Sequence, residues 1–113
     1  MALEITTEQF AHCDLVKATG RIDSQTAPQL AEAFTKIKDL GRHKIVLDLS
    51  GVEFISSAGL RVLINTQKEC QQLGRGELVL AAVPERIYET LEIAGFLPLF
   101  TLVDDVLHAV GGF

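Results

Sequence analysis

At 113 residues, 48% of them hydrophobic and 22% charged, the chain has material for one hydrophobic core and not for two, so one domain spanning residues 1–113 is expected. A net charge of -5, with no basic cluster denser than Arg42-His43-Lys44, argues against nucleic acid and anionic membrane surfaces as partners. No apolar run approaches the roughly 20 residues of a membrane span, and the N-terminus lacks a signal-peptide pattern, so no direct membrane insertion is expected and cytoplasmic residence is the default.

In chain order, Leu3, Ile5 and Thr7 alternate as on a first strand, the Ala11-His12 segment turns, and residues 13–19 form a second strand, giving a hairpin. Gly20-Arg21-Ile22-Asp23-Ser24 then supplies polar caps ahead of Ala27, Leu30, Phe34 and Ile37, whose steps of three and four mark a helical core face. Pro28 sets that helix's start close by and Gly41 its end. Residues 44–49 are a third strand whose Ile45-Val46-Leu47 run has the character of a strand covered on both faces. A turn follows between Leu49 and the serines, then a helix over residues 57–73, ended by Gly74-Arg75-Gly76. Residues 77–82 are a fourth strand. Pro84 opens a helix carrying Ile87, Leu91 and Ala94; residues 96–102 are a loop with at most a short edge strand; Asp104 caps a last helix. Strands alternating with helices predict an α/β fold, a mixed, mostly parallel sheet. Cys13 and Cys70 lack metal-ligand spacing and a redox motif, so two buried free thiols are expected and no cofactor is called for.

The stretch most able to carry function is where the third strand gives way to the 57–73 helix. Ser56 and Ser57 sit where an N-cap belongs, and there the free N-H groups and the helix dipole favour an anion, including a phosphate on the hydroxyl itself. At roughly 100° per residue, Gly59, Val62, Thr66, Cys70 and Leu73 join Leu63 on one face, while Ser57, Leu60 and Ile64 fall on another. Two readings are open. The serines are caps alone, with Leu60 and Ile64 covered by a neighbouring loop; or one serine is a phosphorylation switch beside an exposed apolar patch, with Arg61 one turn on to hold the phosphate. Asp23 is a cap on the first helix, and a neighbour of the serine turn if the two helices start side by side. Nucleophilic catalysis is not expected, because no histidine falls at a predicted strand end and the Ser-Ala-Gly context lacks the flanking glycines of a nucleophile elbow.

The run from Ile45 through Asp48-Leu49-Ser50-Gly51-Val52-Glu53-Phe54-Ile55-Ser56-Ser57-Ala58-Gly59-Leu60 closely resembles the signature of STAS domains, the fold shared by anti-sigma factor antagonists and the cytosolic tails of sulphate transporters. Thr19-Gly20-Arg21-Ile22-Asp23, Glu77-Leu78-Val79-Leu80-Ala81 with Pro84, and Ala94-Gly95-Phe96 agree. The resemblance implies a sheet of four to five strands with helices mainly on one face, and a non-enzymatic partner-switching regulator. Such a regulator binds an anti-sigma factor that is also a serine kinase, and lets go when phosphorylated. By motif position the phosphorylated residue is Ser57, with Ser56 second; Asp23, Ser56, Ser57, Leu60, Arg61 and Ile64 form the partner surface, and a PP2C-type phosphatase resets the switch. This chain departs from the pattern at Ser56, where the family has Asp, and at Ala58, where it has a second hydroxyl. The rival implication is a constitutive subunit of a transporter-associated or sensory complex that is never phosphorylated; a third is a small-ligand sensor at the helix N-terminus.

Overall fold

The computed structural model describes residues 3–72 and 76–113. Its elements are β1 (Glu4–Gln9), β2 (Asp14–Ile22), α1 (Ala27–Asp39), β3 (Lys44–Ile55), α2 (Ser57–Gln72), β4 (Glu77–Ala81), α3 (Glu85–Ile93), a 3-10 turn (Leu97–Leu99), β5 (Thr101–Val103) and α4 (Val106–Gly111). The five strands lie side by side in chain order, β1 antiparallel to β2 and every later pair parallel. Right-handed crossovers that always step the same way leave their helices on one face of a sheet. On that face α1, α2 and α3 bury Leu30, Phe34, Leu63, Ile87 and Leu91 against Val16, Leu47 and Leu80. The short α4 covers the opposite face, where Ala109 joins Cys13, Val46, Val79 and Ala81. β3 is thus covered on both sides, as its apolar run predicts.

The two cysteines are free and buried. Cys70 belongs to the helix-layer cluster and Cys13 to the other, so the sheet itself keeps them from pairing. Burial pushes the Cys70 thiol up to about 11 and raises the Cys13 thiol, which leaves both poorly reactive.

Several boundaries differ from expectation. β3 does not end at Leu49 but continues to Ile55, with β2 extending beside it to Ile22. Register shifts between Lys17 and Thr19 and between Gly20 and Arg21 let the pair continue, with Gly20 at φ +115°. Gly51 is no turn residue: a Cβ there would lie 3.0 Å from Thr19 Oγ1, so the glycine serves a close strand approach. The last helix is capped by Asp105 rather than Asp104, its carboxylate accepting the His108 N-H at 2.8 Å. The predicted helix end at Leu73 and the Gly74-Arg75 part of its closing turn lie outside the described residues.

Arg42, read from sequence as part of a small basic cluster, is a clamp. Its guanidinium donates to the carbonyls of Phe10 (2.6 Å) and Cys13 (3.1 Å) and pairs with the buried Asp14, tying the hairpin turn to the chain just before β3. Removing one member of such a pair strands the other charge away from water. Arg42→Ala is therefore expected to lower stability by about 3 kcal/mol, read as a fall in the urea midpoint; Arg42→Lys, which keeps the charge and loses the fork, should fall between it and wild type.

Candidate functional site

At the far end of the sheet, among the described residues, only β2 and β3 continue, and the register Ile22↔Ile55 brings the start of α1 beside the start of α2. The Ser56 amide donates to the Ile22 carbonyl at 2.8 Å, which stitches the serine turn to the Asp23 turn. The condition under which Asp23 neighbours the serines is met.

The structure separates the two hydroxyls. Ser56 is the cap of α2: its Oγ accepts the Gly59 N-H at 3.2 Å, and its carbonyl accepts the Leu60 N-H at 2.9 Å. Such a cap contributes about 1 kcal/mol. Ser57 is the first helical residue, exposed, and its hydroxyl makes no hydrogen bond among the described residues. The first turn of α2 contains no acidic side chain, so the positive end of the helix dipole is uncompensated there. Arg61 is exposed one turn further on, a spacing that puts it on the side of the helix that carries Ser57.

Asp23 is engaged locally. Its Oδ1 accepts the N-H groups of Gln25 (2.9 Å) and Thr26 (3.0 Å), while the Thr26 hydroxyl accepts the Asp23 N-H at 2.9 Å, a reciprocal box ahead of α1. These bonds, the Thr26 N-H first, outweigh burial and hold the Asp23 carboxyl below its ordinary value, with a smaller contribution from the Arg21 charge.

Leu60 corrects the sequence reading. It is 7% exposed and belongs to the helix-layer core, and Ile64 is half-buried against the same cluster, so α2 presents no apolar patch beside Ser57. The reason is position within the layer. Gln67, within about 20° of Leu60 around the helix, is buried and bridges outward, its amide nitrogen donating to Leu78 O (3.2 Å) and Leu99 O (2.9 Å) and its oxygen accepting the Leu78 N-H (2.7 Å). α2 packs on that flank as well as on the sheet, so it buries a wider arc than one amphipathic stripe.

Gly59 sets how close α2 comes. A Cβ at this position would lie 2.6 Å from Ile22 Cγ2 and 2.8 Å from Ile55 Cγ1. The helix start is seated on the two strand ends because this residue has no side chain.

One feature escapes sequence reasoning. Arg21 pairs with Phe54 in the β2–β3 register, and its guanidinium carbon lies 4.4 Å from the ring centroid. The signal was hidden because both residues lie beyond the strand ends that local pattern suggested.

Against known proteins, a family model described as STAS domain matches residues 4–109. A Bordetella bronchiseptica protein provisionally named anti-sigma factor antagonist BtrV is 37% identical over 111 residues, covering 98% of this chain and 95% of the relative. The anti-sigma-B factor antagonist of Staphylococcus aureus is 33% identical over 84 residues, covering 74% of this chain and 77% of that one. The crystal structure of an anti-sigma factor antagonist from Mycobacterium paratuberculosis superposes with a TM-score of 0.87 at 26% identity, covering 98% of this chain and 93% of that chain.

Two outcomes follow from this geometry. Gly59→Ala should cost about 1 to 3 kcal/mol through overpacking, measured by chemical denaturation; a cost near zero means that α2 does not sit this close. Asp23 has a folded pKa below its unfolded value, so its contribution is present at neutral pH and lost as pH falls through the folded value. Thermal melts of Asp23→Ala should lie below wild type at neutral pH and converge with it in acid, while a constant gap across the pH series would contradict the cap.

Proposed function

The chain belongs to the STAS domain family, and from that premise we propose that it is a partner-switching regulator of the anti-sigma factor antagonist type, switched by phosphorylation of Ser57. It acts by binding and is not an enzyme, in keeping with the antagonist class to which its curated relatives are assigned. Residues 1–113 act as one unit in the cytoplasm. No helix among the described residues is long and apolar enough to cross a membrane.

The observation that carries the choice of residue is the division of labour between the serines: Ser56 spends its hydroxyl on the cap, whereas Ser57 offers an exposed one. Unmodified, the chain docks this end on an anti-sigma factor that is also a serine kinase, and so frees the sigma factor. The kinase moves the γ-phosphoryl of ATP to Ser57 Oγ; the hydroxyl proton leaves and ADP is released. The added phosphate brings about two negative charges. A docked partner would have to desolvate them, so the complex separates. Arg61 holds the phosphate on the chain's own surface. A PP2C-type phosphatase hydrolyses the ester and resets the switch. Asp23, Ser56, Ser57 and Arg61, with the half-buried Ile64 at the edge, are the contact surface; Leu60 supports it from within the core.

Incubation of the chain with its cognate kinase and ATP is the direct test. Ser57→Ala should abolish incorporation and Ser56→Ala should keep it; full incorporation into Ser57→Ala sinks the assignment, and no incorporation at all, with co-purification in a membrane complex, selects the constitutive-subunit reading. Ser57→Asp should lose partner affinity while gaining about 0.5 kcal/mol of stability from an acid in the first turn of α2. Unchanged affinity removes the charge mechanism.

A further inference from the structure

Because α1 and α2 return from strands that run the same way, they lie side by side and point in one direction. Between them runs a cleft of about 440 Å³. Ala31 on α1 and Val62 on α2 line it with side chains too small to close the gap. Thr66, one turn on from Val62 and so on the same side of α2, lines it too. This residue is 3% exposed, yet its hydroxyl makes no hydrogen bond among the described residues. Its neighbours differ: Gln67 uses both ends of its amide on Leu78 and Leu99, and the Thr90 hydroxyl of α3 donates to the Arg86 carbonyl. Polar groups held this deep nearly always have a partner, so an unpaired hydroxyl at the wall of a cleft points to a group that enters and supplies the bond.

The charges of the lining narrow what that group belongs to. One turn beyond Thr66, Glu69 of α2 pairs with Lys38 of α1, and both line the cleft. The Lys38 side chain is only 12% exposed, and its ammonium donates to Glu69 and to no other acceptor among the described residues, which leaves donor capacity unused. A simple anion entering here would take Lys38 and leave Glu69 unpaired beside it; a simple cation would do the reverse. A zwitterion does neither, because its carboxylate takes the ammonium of Lys38 while its own ammonium takes the carboxylate of Glu69. The exposed Lys68 lines the cleft as well, so cations outnumber the acid and the ligand's carboxylate is favoured. No aromatic side chain lines it among the described residues, which disfavours a nucleobase.

We propose that the α1–α2 cleft binds a free α-amino acid with a small polar side chain. Lys38 takes its carboxylate, Glu69 its ammonium and Thr66 its side-chain hydroxyl, over the floor of Ala31 and Val62. The site lies toward the other end of the two helices from Asp23 and Ser57, and it does not depend on the reading of Ser57 as a switch.

The test is a titration of the full isotope-labelled chain with L-serine, followed by its amide resonances, beside parallel titrations with L-alanine, acetate and methylammonium. L-serine should give saturating shifts confined to α1 and α2 around Lys38, Thr66 and Glu69, with a Kd of about 1 mM or tighter. Acetate and methylammonium, each with half of the charge pair, should not saturate over the same range. L-alanine on the wild type, and L-serine on Thr66→Val, should each bind roughly fivefold more weakly, the effect of one hydrogen bond. Glu69→Gln, at a half-exposed position, should weaken L-serine roughly tenfold, the effect of a bond to a charged group. Thr66→Val removes a hydroxyl that is unpaired in the free chain, so it should melt at or above the wild-type temperature. A lower melting temperature reports a bond within the chain and overturns the proposal. So do L-serine shifts that stay linear or spread over the whole surface, and so does unchanged affinity in Thr66→Val or Glu69→Gln. Acetate matching L-serine would make the cleft a plain anion site and overturns it as well.

Discussion

A single backbone hydrogen bond, from the Ser56 amide to the Ile22 carbonyl, closes the β2–β3 pair where α2 begins. The rest of the functional end depends on it. Beyond Asp48, the last β3 residue paired with β4, β3 has β2 as its only strand neighbour among the described residues, and that pairing holds the approach to the serine turn. The bond fixes the direction in which the chain leaves the strand, and Gly59 lets the first turn of α2 settle on Ile22 and Ile55. Ser56 is thereby aimed at the N-H of Gly59, and Ser57 is left facing water.

The electrostatics of this end follow from the same arrangement. Asp23, the acid nearest in sequence to the Ile22 junction, is committed to the cap of α1, and the cap of α2 is a neutral hydroxyl. The start of α2 therefore carries its dipole charge without an acidic neighbour in its own first turn. In the proposed switch, a phosphate at Ser57 is tolerated by the fold and opposed at the interface. A modification that melted the helix would instead couple regulation to stability, which a domain of this size has little reserve to absorb.

Much of this was legible in the sequence. The apolar run at Ile45-Val46-Leu47, the three-and-four spacing of Leu30, Phe34 and Ile37, and Pro84 ahead of Ile87 and Leu91 report local structure because each reflects a period or a backbone restriction set within a few residues. The STAS signature also placed the serine turn. What failed was whatever depended on neighbours. Leu60 lies off the main stripe of α2, and its burial comes from a flank that Gln67 attaches to β4 and the 3-10 turn. Ser50-Gly51 has the composition of a turn and the conformation of a strand, because Thr19 faces it across the ladder.

Sequence alone determined the order of elements, the covering of β3 on both faces and the pair of serines at a helix start, all properties of residues close along the chain. The tertiary structure decided which serine is free, which aliphatic side chains are hidden and that Arg21 stacks on Phe54. Each of these turns on a contact between separate segments, Ile22 with Ser56, Gln67 with Leu78 and Leu99, and Arg21 with Phe54, and no local pattern records how distant segments meet.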